Sequence, residues 1–468
     1  MSNATATLSG SPAGFPPRTG KDSNHAGAVL ARGHIPAAGR RHAQLQRSAG
    51  ASASLRRGKH ESCNTSGHAQ IESERAIGAT ELCGFRICPR HRFSDTCVAK
   101  RMSFHNHSLN NLVRRHAIQV SAIEAAVAKS KEKQCEVQTA LSELLDSLPV
   151  DLDLVICGSL ARGEFTNGSD IDWTLMIDGA VDSNHLLIAK EVERRFREAG
   201  FQKPGPAGPF GNVAFSHDLV HLIGGDTDTN ANTTRRILLL LESCSVGHTL
   251  VRERVIRSIL ARYLEQDTHF RPTNGHKIYV PRFLINDFVR YWRTIAVDYA
   301  GKIRGRGTKG WALRNLKLRM SRKMIFVAGL LMCFECELHR PKADPAHNDL
   351  FAELFSEKKD SILPFIQQLM SFVNRTPLDI LAEAVINYAP DSRGLAERLF
   401  ASYDSFLAKM DDKELRIRLE KLSYDEAKND RDFNALREVG RQFQDGLVEL
   451  FFRSDQELCK LTQEYAVF

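Results

Sequence analysis

The sequence predicts an α+β chain. A small mixed sheet with flanking helices occupies residues 151–245, and an all-helical domain occupies 246–468. A helical lead-in over 102–150 and a disordered basic tail over 1–101 precede them. Three observations carry this reading. Residues 152–157 and 170–177 read as strands, each mostly apolar and set off by Gly, Ser and Asp between them. Beyond residue 246 apolar positions recur at three and four, and over 360–452 glycine is sparse. The first hundred residues show neither period and are rich in Ser, Ala, Gly, Arg and His.

Charge follows the same division. The net charge of +8 is concentrated in residues 1–101, which hold 15 Lys and Arg against 6 Asp and Glu. The remaining residues hold 49 against 50, so the charge of the folded part gives no support to nucleic-acid binding. Cys83, Cys88, His91 and Cys97 cluster in the tail, but their spacing fits no common zinc finger. A start of translation at Met102 would remove the tail altogether. The first thirty residues lack a signal-peptide core, and the longest later apolar stretch, 324–334, is too short to span a bilayer. The expectation is a cytoplasmic protein with reduced thiols and no membrane partner.

In the lead-in, Leu109, Leu112, His116, Val120, Ile123 and Val127 recur at helical spacing, as do Val137, Leu141 and Leu144. The charged residues 129–133 predict a break between the two halves of a helix or helix pair, and Leu148-Pro149 predicts the end.

Residues 157–177 hold the chemistry. An apolar run leads into Gly158-Ser159, a polar loop follows, and Ser169-Asp170-Ile171-Asp172 opens a second run. Two acids two apart at a strand start emerge on one face. Each then resists ionising unless a cation lies between them. A hard divalent ion such as Mg2+, which keeps waters and substrate phosphates as further ligands, suits that pair. Gly158 lets the backbone approach an anion closely. Ser159 is placed to cap the following helix and offer a hydroxyl, and the helix start favours phosphate. Arg162 adds a cation one turn on.

This window, Gly158-Ser159-x-x-Arg162-Gly163-Glu164 and then Ser169-Asp170-Ile171-Asp172, resembles the signature of the polymerase-β-type nucleotidyltransferases. The resemblance implies the nucleotidyltransferase fold for 151–245. It implies Mg2+ on Asp170 and Asp172, with a two-metal site possible, and a nucleoside triphosphate as substrate. Gly158, Ser159 and Arg162 would hold phosphates. It also implies a third carboxylate on a strand neighbouring the Asp-x-Asp strand. Residues 213–223 read as that strand, and Asp218 is the acid inside it. Asp226 and Asp228, just beyond, are rivals.

The remaining elements follow in order. Residues 185–199 read as an amphipathic helix, and 201–211, with three prolines and three glycines, as a loop. Thr229 to Thr234 supply capping residues before Arg235 and Arg236, which in a first helical turn oppose the helix dipole and read either as solvated arginines or as partners of a nearby anion such as a triphosphate. Leu284, Phe288, Tyr291 and Ile295 form one apolar stripe, and Leu313, Leu316, Met320 and Met324 another. Residues 302–323 carry nine Lys and Arg and no acid, either as a phosphate grip, with Arg314, Lys317 and Arg322 as candidates, or as a solvated face. Residues 411–437, dense in both charge signs, read as an exposed helix.

The functional expectation is a Mg-dependent nucleotidyltransferase that moves a nucleoside monophosphate to an unknown acceptor, a protein or small molecule being favoured. A cyclic oligonucleotide synthase and a catalytically inactive nucleotide-binding regulatory module are the alternatives.

Overall fold

A computed structural model describes residues 106–204, 210–247, 249–267, 279–306, 310–339 and 362–466. The tail with its Cys83–Cys97 cluster lies outside the described residues, as do the side chains of 302–309.

The chain opens with α1 (His107–His116) and α2 (Ser121–Asp146). The expected break at 129–133 is absent. The chain instead turns at Ala117, which takes a left-handed conformation with φ 50°. Lysine and glutamate are good helix formers, so a charged stretch can continue a helix provided that its side chains find partners. Here Lys129 bonds to Asp411 and Lys133 to Glu136.

Four strands follow, β1 (Leu152–Cys157), β2 (Asp172–Ile177), β3 (Asn212–Phe215) and β4 (Ser243–Ser245). They form one mixed sheet in the order β3-β2-β1-β4. β1 pairs antiparallel with both β2 and β4, so that Cys157 stands opposite Asp172 on one side and Ser243 on the other. β3 runs parallel to β2, with Thr174 level with Asn212. Both strands of the central pair are buried on two faces, which is why they read as unbroken apolar runs.

The two faces feed different cores. Leu152, Leu154 and Ile156 of β1 join Trp173, Leu175 and Ile177 of β2 in a core closed by α2 and α4 (Asn184–Glu198). Val155, Cys157 and Met176 point the other way, into the larger core shared with the later helices. Strand alternation places Asp172 on the second face, with Thr174 and Met176. The Asp-x-Asp pair therefore looks toward the helical part of the chain.

The expected strand at 213–223 ends at Phe215 and gives way to α5 (Ser216–Val220). Leu219, Val220 and Ile223 are buried, at a spacing that suits a turn of helix better than a strand. Asp218 in the first turn also complements the helix dipole. Next come α6 (Asn230–Leu241), α7 (Thr249–Gln266), α8 (Arg282–Arg306), α9 (Trp311–Arg319) and α10 (Ser321–Leu338). After residue 362 stand α11 (Leu363–Val373), α12 (Pro377–Tyr388), α13 (Arg393–Asp411), α14 (Lys413–Lys421), α15 (Tyr424–Asn429), α16 (Arg431–Glu449) and α17 (Gln456–Tyr465). Pro364 and Pro377 sit in the first turns of their helices, as their missing N–H groups allow. No helix among the described residues is long and apolar enough to cross a membrane.

Candidate active site

The end of β1 turns sharply. Gly158 has φ 76° and ψ −153°, a conformation open to glycine and strained for other residues. It caps a single helical turn, α3 (Ser159–Arg162), closed by Arg162 N donating to Gly158 O at 3.1 Å. The expectation that Ser159 caps this helix is corrected: Gly158 is the cap, and Ser159 is the first helical residue. The turn brings Gly158 and Ser159 to the rim of a cleft of about 540 Å³.

Asp170 and Asp172 line the same cleft. The Asp172 carboxylate packs on the bare Gly158 backbone, in space that a side chain there would fill. Burial pushes the Asp172 carboxyl up to about 7, and the charges of Asp170 and Glu242 add to that, while Lys317 and Arg162 oppose it. A carboxylate placed at such cost beside another acid is a site short of positive charge. Mg2+ is held by one or two carboxylates plus substrate phosphates, so the donor set of Asp170 and Asp172 in front of an anion-tolerant turn fits it. Among the described residues no three acids, histidines or cysteines converge on one ion.

Arg162 is the first site residue whose surroundings differ from the expectation. It lines the cleft but is buried, and its guanidinium is shared by two glutamates. Nε lies 2.9 Å from Glu164 Oε2, and Nη1 bonds to Glu242 just before β4. Its charge is matched within the protein, and it ties the loop after α3 to the fourth strand.

Asp218 is the second. It sits on α5 rather than on a strand, half-exposed, with His217 Nδ1 3.6 Å away, and it is not among the residues that line the cleft. The structure does not bring it to Asp170 and Asp172. The rivals fare no better. Asp226 is exposed. Asp228 is buried under two arginines, accepting from Arg236 at 2.9 and 2.7 Å and from Arg290 at 3.0 Å.

Arg235 and Arg236 part company. Arg236 is wholly buried and bridges Asp228 and Asp287. Arg235 lines the cleft, where burial pulls its pKa down and Asp218 partly offsets this. The basic stretch 302–323 divides similarly. Lys317 from α9 and Arg322 from the first turn of α10 face the cleft, whereas Arg314 is not among its lining residues. Burial pulls Lys317 down to about 8, with the nearby Arg416 charge acting in the same direction.

Arg416 is the residue that sequence reasoning missed. It lies on α14, in the stretch read as an exposed helix. Its Nη1 donates to Thr166 Oγ1 at 3.1 Å, inside the polar loop that precedes Asp170. Gly168 makes room for it: a Cβ there would lie 2.8 Å from Arg416 Cδ and Nε. The loop is held from the same side by Asp411, whose Oδ1 accepts from Asn167 N at 3.0 Å. Nothing local in the sequence signals a contact across some 250 positions. An apolar wall of Phe210, Leu238, Tyr291, Ile295 and Phe406 completes the cleft.

With this geometry in place, residues 135–201 match the family model described as nucleotidyltransferase domain. The match runs from α2 through β1, β2 and α4 and includes Gly158, Ser159, Asp170 and Asp172. It is consistent with the polymerase-β-type superfamily, and the mixed sheet with flanking helices fits that fold. No curated protein matches the chain.

Proposed function

We propose that a protein with this nucleotidyltransferase domain moves a nucleoside monophosphate from a triphosphate to an acceptor hydroxyl and releases pyrophosphate. A protein or small molecule is the favoured acceptor. One observation carries the reading: Asp170 and Asp172 line one cleft together with Lys317, Arg322, Arg416, Arg235 and the Gly158 turn. Paired carboxylates and several cations in one cleft suit a metal-bound triphosphate.

Asp170 and Asp172 would hold Mg2+, which when bound would neutralise the triphosphate and stabilise the attacking and leaving oxygens. Ser159 and the backbone of the Gly158 turn would contact phosphate oxygens. Lys317, Arg322 and Arg416 would take the charge that builds on the departing β- and γ-phosphates. Arg162 would fix the turn through Glu164 and Glu242 rather than grip phosphate itself. The acceptor oxygen forms a bond to the α-phosphorus and its hydroxyl proton passes to solvent, while the α–β bridging oxygen leaves with its electron pair. Most of the rate would come from holding these groups in line.

The test is to incubate the full chain with each labelled nucleoside triphosphate and Mg2+, alone and with cell extract fractions. Transfer of label with pyrophosphate release, lost in Asp172→Asn, is the expected result. Asp172→Asn protein with full activity overturns it. A second reading, nucleotide binding without turnover, is favoured by one observation: β3 presents no acid to the cleft. Tight binding of a triphosphate with no pyrophosphate from any fraction would support it.

A further inference from the structure

We propose that Asp411 is a positioning residue for the metal ion: from the end of α13 it fixes the loop that presents Asp170 to the cleft. The inference rests on the nucleotidyltransferase reading of the cleft and adds to it.

The two acids of the pair are held differently. Asp172 is the first residue of β2 and stands opposite Cys157, so the sheet sets it. Asp170 lies before the strand, in a loop whose residues Thr166 and Ser169 also line the cleft. That loop turns over Asn167 and Gly168, with Ser169 N donating to Thr166 O at 2.9 Å. The tip of the turn is pinned from outside, where Asp411 Oδ1 accepts from Asn167 N at 3.0 Å. Lys129 of α2 bonds to Asp411 and donates to Asn167 Oδ1 at 3.3 Å, so α2 and α13 meet the loop at one point.

Asp411 does little for its own helix. It is the last residue of α13, where a carboxylate opposes the helix dipole. Its side chain is partly exposed, and an ion pair in that setting contributes little to stability. The acid at this place serves the loop N–H instead. Phe406, Leu407 and Met410 of the same helix line the cleft, so Asp411 ties the cleft wall to the loop that carries Asp170. Losing an outer partner that orients a metal-binding group costs about 10- to 100-fold in metal affinity or activity.

Mn2+ affinity tests this. Full-length protein is titrated with Mn2+ and the non-hydrolysable α,β-methylene analogue of ATP, bound Mn2+ is read by electron paramagnetic resonance, and thermal melts run beside it. Asp411→Ala is expected to weaken Mn2+ binding about tenfold with little change in the melt. Asp411→Asn keeps an oxygen for Asn167 N and is expected to recover most of the loss. Asn167→Pro removes the same bond from the loop side. Asn167 is the second residue of the turn and neither it nor Gly168 has a positive φ, a setting that suits proline. This variant should also weaken Mn2+ binding, and the two losses should not add in the double variant, since both delete one bond. Unchanged Mn2+ affinity in Asp411→Ala or Asn167→Pro, an Asp411→Asn loss as large as that of Asp411→Ala, or losses that add would each overturn the inference and leave the transferase reading intact. Should either Asp411→Ala or Asn167→Pro not fold, the other decides alone. Wild-type protein that takes up no Mn2+ with the analogue overturns the transferase reading itself.

Discussion

The Asp172 carboxylate lies against the Gly158 backbone so closely that a Cβ on Gly158 would stand 2.8 Å from Asp172 Oδ2. Gly158 follows Cys157, the last residue of β1, and Asp172 begins β2 directly opposite Cys157. The glycine turn and the Asp172 carboxylate are thus locked together by the sheet.

Gly158→Ala should therefore disable the site without unfolding the protein. The new methyl meets the Asp172 carboxylate, and the backbone at φ 76° becomes strained by about 1–3 kcal/mol. A displacement on the order of 1 Å in a reacting constellation costs roughly 100-fold in rate. Transferase assays beside thermal melts would check both halves of this expectation. A variant with wild-type turnover would show that the contact is not needed.

The two aspartate classes should separate. Asp172→Asn is expected to lower turnover by about 1000-fold or more, in line with losing a group that organises transition-state charge. Asp218→Asn is expected to stay within about threefold, because its side chain is half-exposed on α5 and outside the cleft. Parallel rate measurements on the two purified variants decide it. Equal losses would restore Asp218 to the site.

Removing one cleft cation should weaken triphosphate binding far more than monophosphate binding. Lys317→Gln deletes a charge that is worth about 1.5–3 kcal/mol when hydrogen-bonded to phosphate, so triphosphate affinity should fall about 10- to 100-fold. Arg314→Gln, whose position is not among the cleft-lining residues, serves as the comparison. Calorimetric titration with a nucleoside triphosphate and the matching monophosphate reads both. A uniform loss for the two ligands would move Lys317 away from the phosphates.

Asp153 should make folding stability fall as pH rises. It is buried in β1, where Oδ1 accepts from Ser245 Oγ at 2.8 Å and from Gly247 N at 3.1 Å, while Oδ2 has no partner. Burial pushes its carboxyl from 3.8 up to about 7. Between those values the folded state keeps a proton that the unfolded state has lost, so stability declines from about pH 4 to about pH 7 and then levels. One proton contributes a slope of at most about 1.4 kcal/mol per pH unit. Asp153→Asn should remove that component from a pH series of denaturant melts. An unchanged slope would assign it to other groups.

Much of the site was legible because its residues are close in sequence. Gly158, Ser159, Asp170 and Asp172 fall within fifteen positions; the strand expected from 170 begins at Asp172, so Asp170 reaches the cleft from the loop before it. The helical part was legible from its period, and Lys317 and Arg322 from the absence of acids around them. The break at Ala117 was not, since the helix-favouring lysines at 129–133 look like a boundary until Asp411 is seen to pair with one of them. Asp218 was misplaced for a related reason: residues 213–223, apolar at both ends with Ser216, His217, Asp218 and His221 between, fit a strand or a short strand with a helical turn, and only packing chooses.

The sequence by itself determined the local chemistry, a glycine turn before a carboxylate pair, because strand alternation and glycine's backbone freedom act within a few residues. Only the tertiary structure decided which charges meet that pair. Arg162 is taken by Glu164 and Glu242, Arg236 by Asp228 and Asp287, and Arg416 arrives from another helix to lie on Gly168. Electrostatic partners are chosen by distance in space, and the chain brings residues some 250 positions apart into contact through packing that no short window of sequence records.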